Sequence, residues 1–182
     1  LFPLVLAVVP FFSSLSNGLG AYDGLSAMTS ALAAWVLPYL VGRLYFTDLQ
    51  GMRELILGFF IAGLVYLPFC LWEMRMSPNL HHHIYGFNPS AFIQAYRGGG
   101  YRPVVFMRHG LMTAMFMGMS TLCGCALWFS GAKKTFMNLP IALPVGALAL
   151  TTLLSRSAGA QALMLAGIGA LLFMRYARNP LP

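Results

Sequence analysis

The stretch Leu55–Trp72, LILGFFIAGLVYLPFCLW, decides the class of this chain. It carries no charge and is apolar all round rather than along one face. A segment inside a bilayer must satisfy its own backbone hydrogen bonds, and barrel strands need alternating polarity, so the stretch reads as a membrane helix. Working outward, charge-free stretches occupy 1–22, 24–42, 55–72, 109–132, 135–155 and 157–174, or 122 of 182 residues. Crossing a hydrocarbon core takes about 20 apolar residues, with a range of ~17–25. The expectation is an all-α, polytopic transmembrane helix bundle of about six spans.

Composition agrees. The chain is 59% hydrophobic and 8% charged, with a mean hydropathy of +0.74, whereas soluble domains carry roughly 25% charged residues. That excludes a soluble enzyme, a disordered tail and a secreted disulfide module. The chain opens directly in an apolar run, Leu1–Phe12, without the basic leader and small-residue cleavage site of a signal peptide. It also stops soon after its last apolar stretch. It is read as one transmembrane domain over 1–182, an internal piece of a longer multi-span protein.

The charges set the orientation. Arg43, Arg53, Lys133, Lys134, Arg175 and Arg178 fall on one side of six spans, and Arg75, Arg97, Arg102, Arg108 and Arg156 on the other. The counts nearly balance, but both lysines lie on the first side, which is therefore placed in the cytoplasm. The opposite side then holds a long extracytoplasmic loop, Glu73–Arg108, with four arginines, no lysine and one acid. In the plain reading these arginines snorkel to headgroups or pair with Glu73. In the functional one they form an anion site, because arginine's planar fork grips phosphate oxygens in pairs and keeps its proton.

Within the loop, Met76–Tyr96 is charge-free but holds Pro78, Asn79, His81–His83, Asn88, Pro89 and Gln94, which argues against a span. Asn88 as N-cap and Pro89 at the first position predict a short interfacial helix over SAFIQAYR, ended by Gly98–Gly100. Arg97, Arg102, Arg108 and His109 then arrive within twelve positions. Arg156 must lie where residues 135–174 reverse between two spans, at or just below the outer surface. There it serves as an interfacial snorkel or as a functional charge.

Other signals carry less. Adjacent histidines on an irregular loop impose no coordination shell, so no metal is assigned. Cys70, Cys123 and Cys125 lie inside spans and read as packing residues, and the twelve methionines read as filler. Trp72, Trp128, Tyr45, Tyr101 and Tyr176 mark the ends of spans. Asp23, Asp48 and Glu54 sit at span edges, whereas Glu73 ends a span at the arginine-rich face and is a candidate acid or base.

The segment YRPVVFMRHG after a long outer loop, followed by a span and then a pair of spans joined at LTTLLSRSAGA, resembles the bacterial O-antigen ligase and polysaccharide polymerase family. Arg102-Pro103 and Phe106 match its outer Arg-Pro element. Ser155-Arg156-Ser157-Ala158 matches its Ser-Arg-Gly-Ala-like element, with serine in place of glycine. The likeness covers roughly residues 35–178. It departs after Arg102, where Arg108-His109-Gly110 stands in place of the family's usual Asn-Pro-Asn character, and in lacking the family's later histidine-bearing loop. The resemblance implies a metal-independent glycosyltransferase of the bacterial inner membrane, active on the periplasmic face and needing no cofactor. Its partners would be membrane lipid, a glycan donor on undecaprenyl diphosphate, and a glycan or lipid A–core acceptor, with no nucleic acid. By carry-over Arg102 and Arg156 bind the diphosphate, with Arg97 and Arg108 beside them, and the candidates for general base are His109 and Glu73. The competing reading is a multi-span transporter or channel for an anionic solute, which would show polar residues at mid-membrane and paired repeats. Neither stands out in this sequence.

Overall fold

Each charge-free stretch yields a helix, and the computed structural model, which describes residues 2–178, places them as α1 Phe2–Ser16, α2 Ala21–Tyr45, α3 Leu49–Met76, α5 Gly110–Phe129, α6 Ala142–Leu154 and α7 Ala158–Arg178. A six-residue helix, α4 (Leu80–Tyr85), lies between α3 and α5. Four helices are long and apolar enough to cross a membrane: α2, α3, α5 and, in α7, Ala158–Ala177. The other two are shorter. Gly18 and Gly20, both at positive φ, end α1 early. A hairpin takes the first residues of the 135–155 stretch, so α6 keeps 13 residues, about 20 Å of helix against a core of roughly 30 Å.

The charges bounding these stretches do not bound the helices. Asp23 and Arg43 lie inside α2, and Glu73 inside α3. A charge stops a run that lipid tolerates, but backbone hydrogen bonding continues past it. Inside α2, Leu32–Val36 form a π-turn just before Pro38, whose missing N–H and bulky ring disturb the preceding turn.

Where the sequence suggests one transmembrane domain, the chain divides into two compact units, Leu1–Leu55 and Ile56–Pro182. In the first, α1 lies against α2. In the second, α5 is the central helix and packs on both α6 and α7. Of its most apolar window 56% is buried, against 17% for α3 and 11% for the last helix. Membrane helices have little hydrophobic force between them and associate through small residues and close packing. The buried residues of α5 fit that rule: Gly110, Thr113, Ala114, Gly118, Ser120, Thr121 and Gly124 are among them. Thr121 Oγ1 meets Thr152 Oγ1 of α6 at 3.4 Å, and each also bonds a carbonyl one turn back. On α3, a Cβ at Gly63 would overlap Ser120 of α5.

The outer segment departs from its expected form. The histidine run is helical, in α4. No helix starts at Asn88-Pro89, and only a single 3-10 turn forms, over Phe92–Ala95. Gly98-Gly99 do not end a helix. They form the corner of a hairpin between β1 (Tyr96–Arg97) and β2 (Gly100–Tyr101), with φ of 53° and 78°. A two-residue turn of that hand needs positive φ at both central positions, which glycine accepts without strain. Tyr96 and Tyr101 pair across it, edge to face at 5.7 Å. The second hairpin, β3 (Thr135–Phe136) and β4 (Leu139–Pro140), turns through Met137 and Asn138 in the same way.

Overpacking a close helix contact costs about 1–3 kcal/mol. Gly63→Leu is therefore expected to lower the melting temperature in detergent by several degrees. The control Gly58→Leu, with open space at its Cβ, should leave it near wild type.

Candidate functional site

Glu73 is the only acid after Glu54, while nine basic residues follow position 56. It is fully buried near the end of α3, and all three of its hydrogen bonds go to backbone N–H groups. Oε2 accepts from Val104 and Val105, both at 2.7 Å, and Oε1 accepts from Leu80 at 3.0 Å. Two successive N–H groups on one oxygen form an anion-holding nest. Val105 takes φ +52° to complete it, a conformation costly for a β-branched residue. The Val104 carbonyl is held as well, accepting from Thr113 Oγ1 of α5 at 2.8 Å, and the Phe106 N–H donates to Tyr66 Oη at 3.1 Å. The loop at 103–106 is thus fixed to α3 and α5. With both carboxyl oxygens accepting from backbone and no exposed surface, Glu73 anchors this segment to the end of α3.

Arg102 emerges beside that anchor and is only 3% exposed. Its Nη2 donates to Ser157 Oγ at 3.1 Å, and its Nε is buried with no hydrogen-bond partner. The side chain lies across the start of α5, where a Cβ on Gly110 would stand 2.9 Å from Cγ and Cδ of Arg102. Burial first, and the neighbouring Arg97 guanidinium second, hold Arg102 below the ordinary arginine range. Both causes act against a bare cation, and a neighbouring negative charge would offset them.

Arg156 sits in the reversal between α6 and α7, just past the helix end at Ser155, with φ +55°. Glycine is the usual residue there, and a side chain costs ~1–2 kcal/mol. Here the side chain has work. Its Nη1 donates to the Arg97 carbonyl at 2.8 Å and to the Gly98 carbonyl, and the guanidinium lies against Gly100, where a Cβ would come within 2.6 Å of it. Arg156 therefore clasps the β1–β2 hairpin to the helix reversal. Its neighbour Ser157 contacts Arg102, so the two family-like elements touch.

The structure brings Arg97, Arg102 and Arg156 together. Arg108 is exposed and forms no side-chain hydrogen bond among the described residues. His109 caps α5: its Nδ1 accepts from the Leu111 N–H at 3.1 Å. That bond occupies Nδ1 and leaves Nε2 as the ring nitrogen without a hydrogen bond among the described residues. Sequence reasoning missed Ser157, Gly110 and the Val104–Val105 nest as working parts. Ser157 was visible only as part of a motif, and no local signal marks a backbone nest whose anion lies thirty residues upstream. Of the histidine run, His81 Nδ1 meets the Phe87 carbonyl at 3.0 Å and His83 Nδ1 the Asn79 carbonyl at 2.7 Å.

Arg156→Gly separates the two roles of that position. It should leave the melting temperature equal or higher, because the backbone strain is relieved, while trypsin cleavage after Arg97 accelerates about tenfold with loss of a charged hydrogen-bond pair. Cleavage at the wild-type rate would show that the hairpin is held by something else. Comparison with protein-family models, with curated proteins and with solved structures gives no match to this chain.

Proposed function

We propose that this chain is the membrane core of a glycosyltransferase of the O-antigen ligase and polysaccharide polymerase type. It would act on a glycan carried by undecaprenyl diphosphate at the periplasmic face of a bacterial inner membrane. The observation that carries the reading is Arg102, a buried guanidinium with an unpartnered Nε in a unit whose single carboxylate is bonded to backbone. A buried cation needs a counter-ion, and since the sequence offers none here, the natural candidate is an anionic ligand.

In this reading six helices cross or enter the bilayer, the four long ones and the shorter α1 and α6, and the lysine-bearing end is cytoplasmic. Arg102 and Arg156 face the diphosphate, Arg97 lies beside them, Arg108 meets lipid headgroups, and His109 offers Nε2–H to a phosphate oxygen. The acceptor hydroxyl oxygen bonds to the anomeric carbon as the carbon–oxygen bond to the diphosphate breaks. The arginines stabilise the charge that grows on the leaving group, and the lipid tail positions the donor. Both Glu73 oxygens are occupied, so the hydroxyl proton passes to an oxygen of the departing diphosphate and leaves with it. The acceptor is lipid A–core or a growing glycan.

Proteoliposomes containing the protein and a radiolabelled undecaprenyl-diphosphate glycan test the reading. Arg102→Lys keeps the charge and loses the fork, and is expected to cut transfer about 10- to 100-fold, the loss of one or two charged hydrogen bonds. Arg108→Ala should change it less than about threefold. Wild-type transfer by Arg102→Ala would refute the assignment.

A further inference from the structure

The opposite end of α5 holds a second site. A cavity of about 540 Å³ opens there, lined by Ala126, Phe129 and Gly131 at the end of α5 and by Leu171, Met174 and Arg175 near the end of α7. Its walls are mostly apolar, with one cation among them: the Arg175 guanidinium carbon stands 5.8 Å from the centre of the Phe129 ring. The helix-end carbonyls of Ala126, Leu127 and Trp128 each accept an N–H, from Ser130, Lys133 and Gly131, and Arg175 forms no side-chain hydrogen bond among the described residues. Exposed Lys133 and Lys134 follow directly, and no acid lies anywhere after Glu73. Both helices are of membrane-spanning length and composition.

We propose that this cavity binds an anionic phospholipid of the leaflet facing Lys133 and Lys134, with an acyl chain between α5 and α7 and the phosphate on Arg175. Basic pockets between membrane helices select acidic headgroups in this way, and the aromatic face under the guanidinium orients it. The inference rests on the membrane character of the two helices and is independent of the transfer reaction.

The test is native mass spectrometry of the full chain released from neutral detergent, after incubation with phosphatidylglycerol or phosphatidylcholine of identical acyl chains. Wild type should retain phosphatidylglycerol about fivefold better, the contribution of one basic group. Arg175→Gln should abolish the preference, and Arg175→Lys should keep most of it. Ala126→Leu, which narrows the cavity without touching charge, should reduce retention of both lipids. Equal retention of the two lipids by wild type would overturn the proposal, as would an undiminished preference in Arg175→Gln. Displacement of phosphatidylglycerol by millimolar inorganic phosphate would overturn it too, because the site would then take a free anion. If Arg175→Gln loses its helical circular dichroism, the wild-type lipid comparison and Ala126→Leu still decide the question.

Discussion

Among the described residues Glu73 takes three backbone N–H groups and no cation, and the geometry of the segment between α3 and α5 follows from that choice. A buried carboxylate is expensive unless it is fully hydrogen-bonded, and the donors here come from two places, the start of α4 and the 104–105 turn. By gathering them, Glu73 draws the outer segment down onto the end of α3. Thr113 holds the same turn from α5. Arg102, one residue before Pro103, is then set into the bundle rather than left in solvent.

The same choice leaves the arginines without an internal counter-ion. In a water-soluble protein each would find an acid nearby, whereas here the one carboxylate of the second unit is bonded elsewhere. The fold compensates in part with neutral acceptors: the Ser157 hydroxyl for Arg102, and the Arg97 and Gly98 carbonyls for Arg156. Neutral acceptors satisfy geometry but do not cancel charge, so the Arg97, Arg102 and Arg156 charges stay unbalanced by any acid. At the other end of α5 the lysines and Arg175 are similarly without acids, in a setting made of apolar walls rather than a folded loop.

The helical bundle was legible in the sequence because hydrocarbon imposes so simple a demand. Six charge-free stretches give six helices. Their ends were not legible, since Asp23, Arg43 and Glu73 interrupt hydrophobicity without interrupting backbone hydrogen bonds. The outer segment was the least readable part. Asn88-Pro89 carries a helix-start signal, yet only a 3-10 turn forms over Phe92–Ala95, and Tyr96 and Arg97 pair across the Gly98-Gly99 corner with Gly100 and Tyr101 instead of continuing a helix. Spacing groups Arg97, Arg102, Arg108 and His109, and the motif adds Arg156; in the structure Arg156 bonds the Arg97 carbonyl while Arg108 is exposed. The burial of Arg102, the strained backbone at Arg156 and the anchoring role of Glu73 were not legible, because each depends on partners tens of residues away.

We infer that the arginine face is an anion site organised around Arg102. Its most direct measurement is the affinity of the purified protein for a short-chain prenyl diphosphate by isothermal titration, comparing wild type with Arg102→Lys and Arg108→Lys. The account predicts at least about tenfold weaker binding for Arg102→Lys, where a buried fork is lost, and a change within about twofold for the exposed Arg108→Lys. Equal affinities in all three proteins would contradict it and leave Arg102 as a buried brace for Ser157.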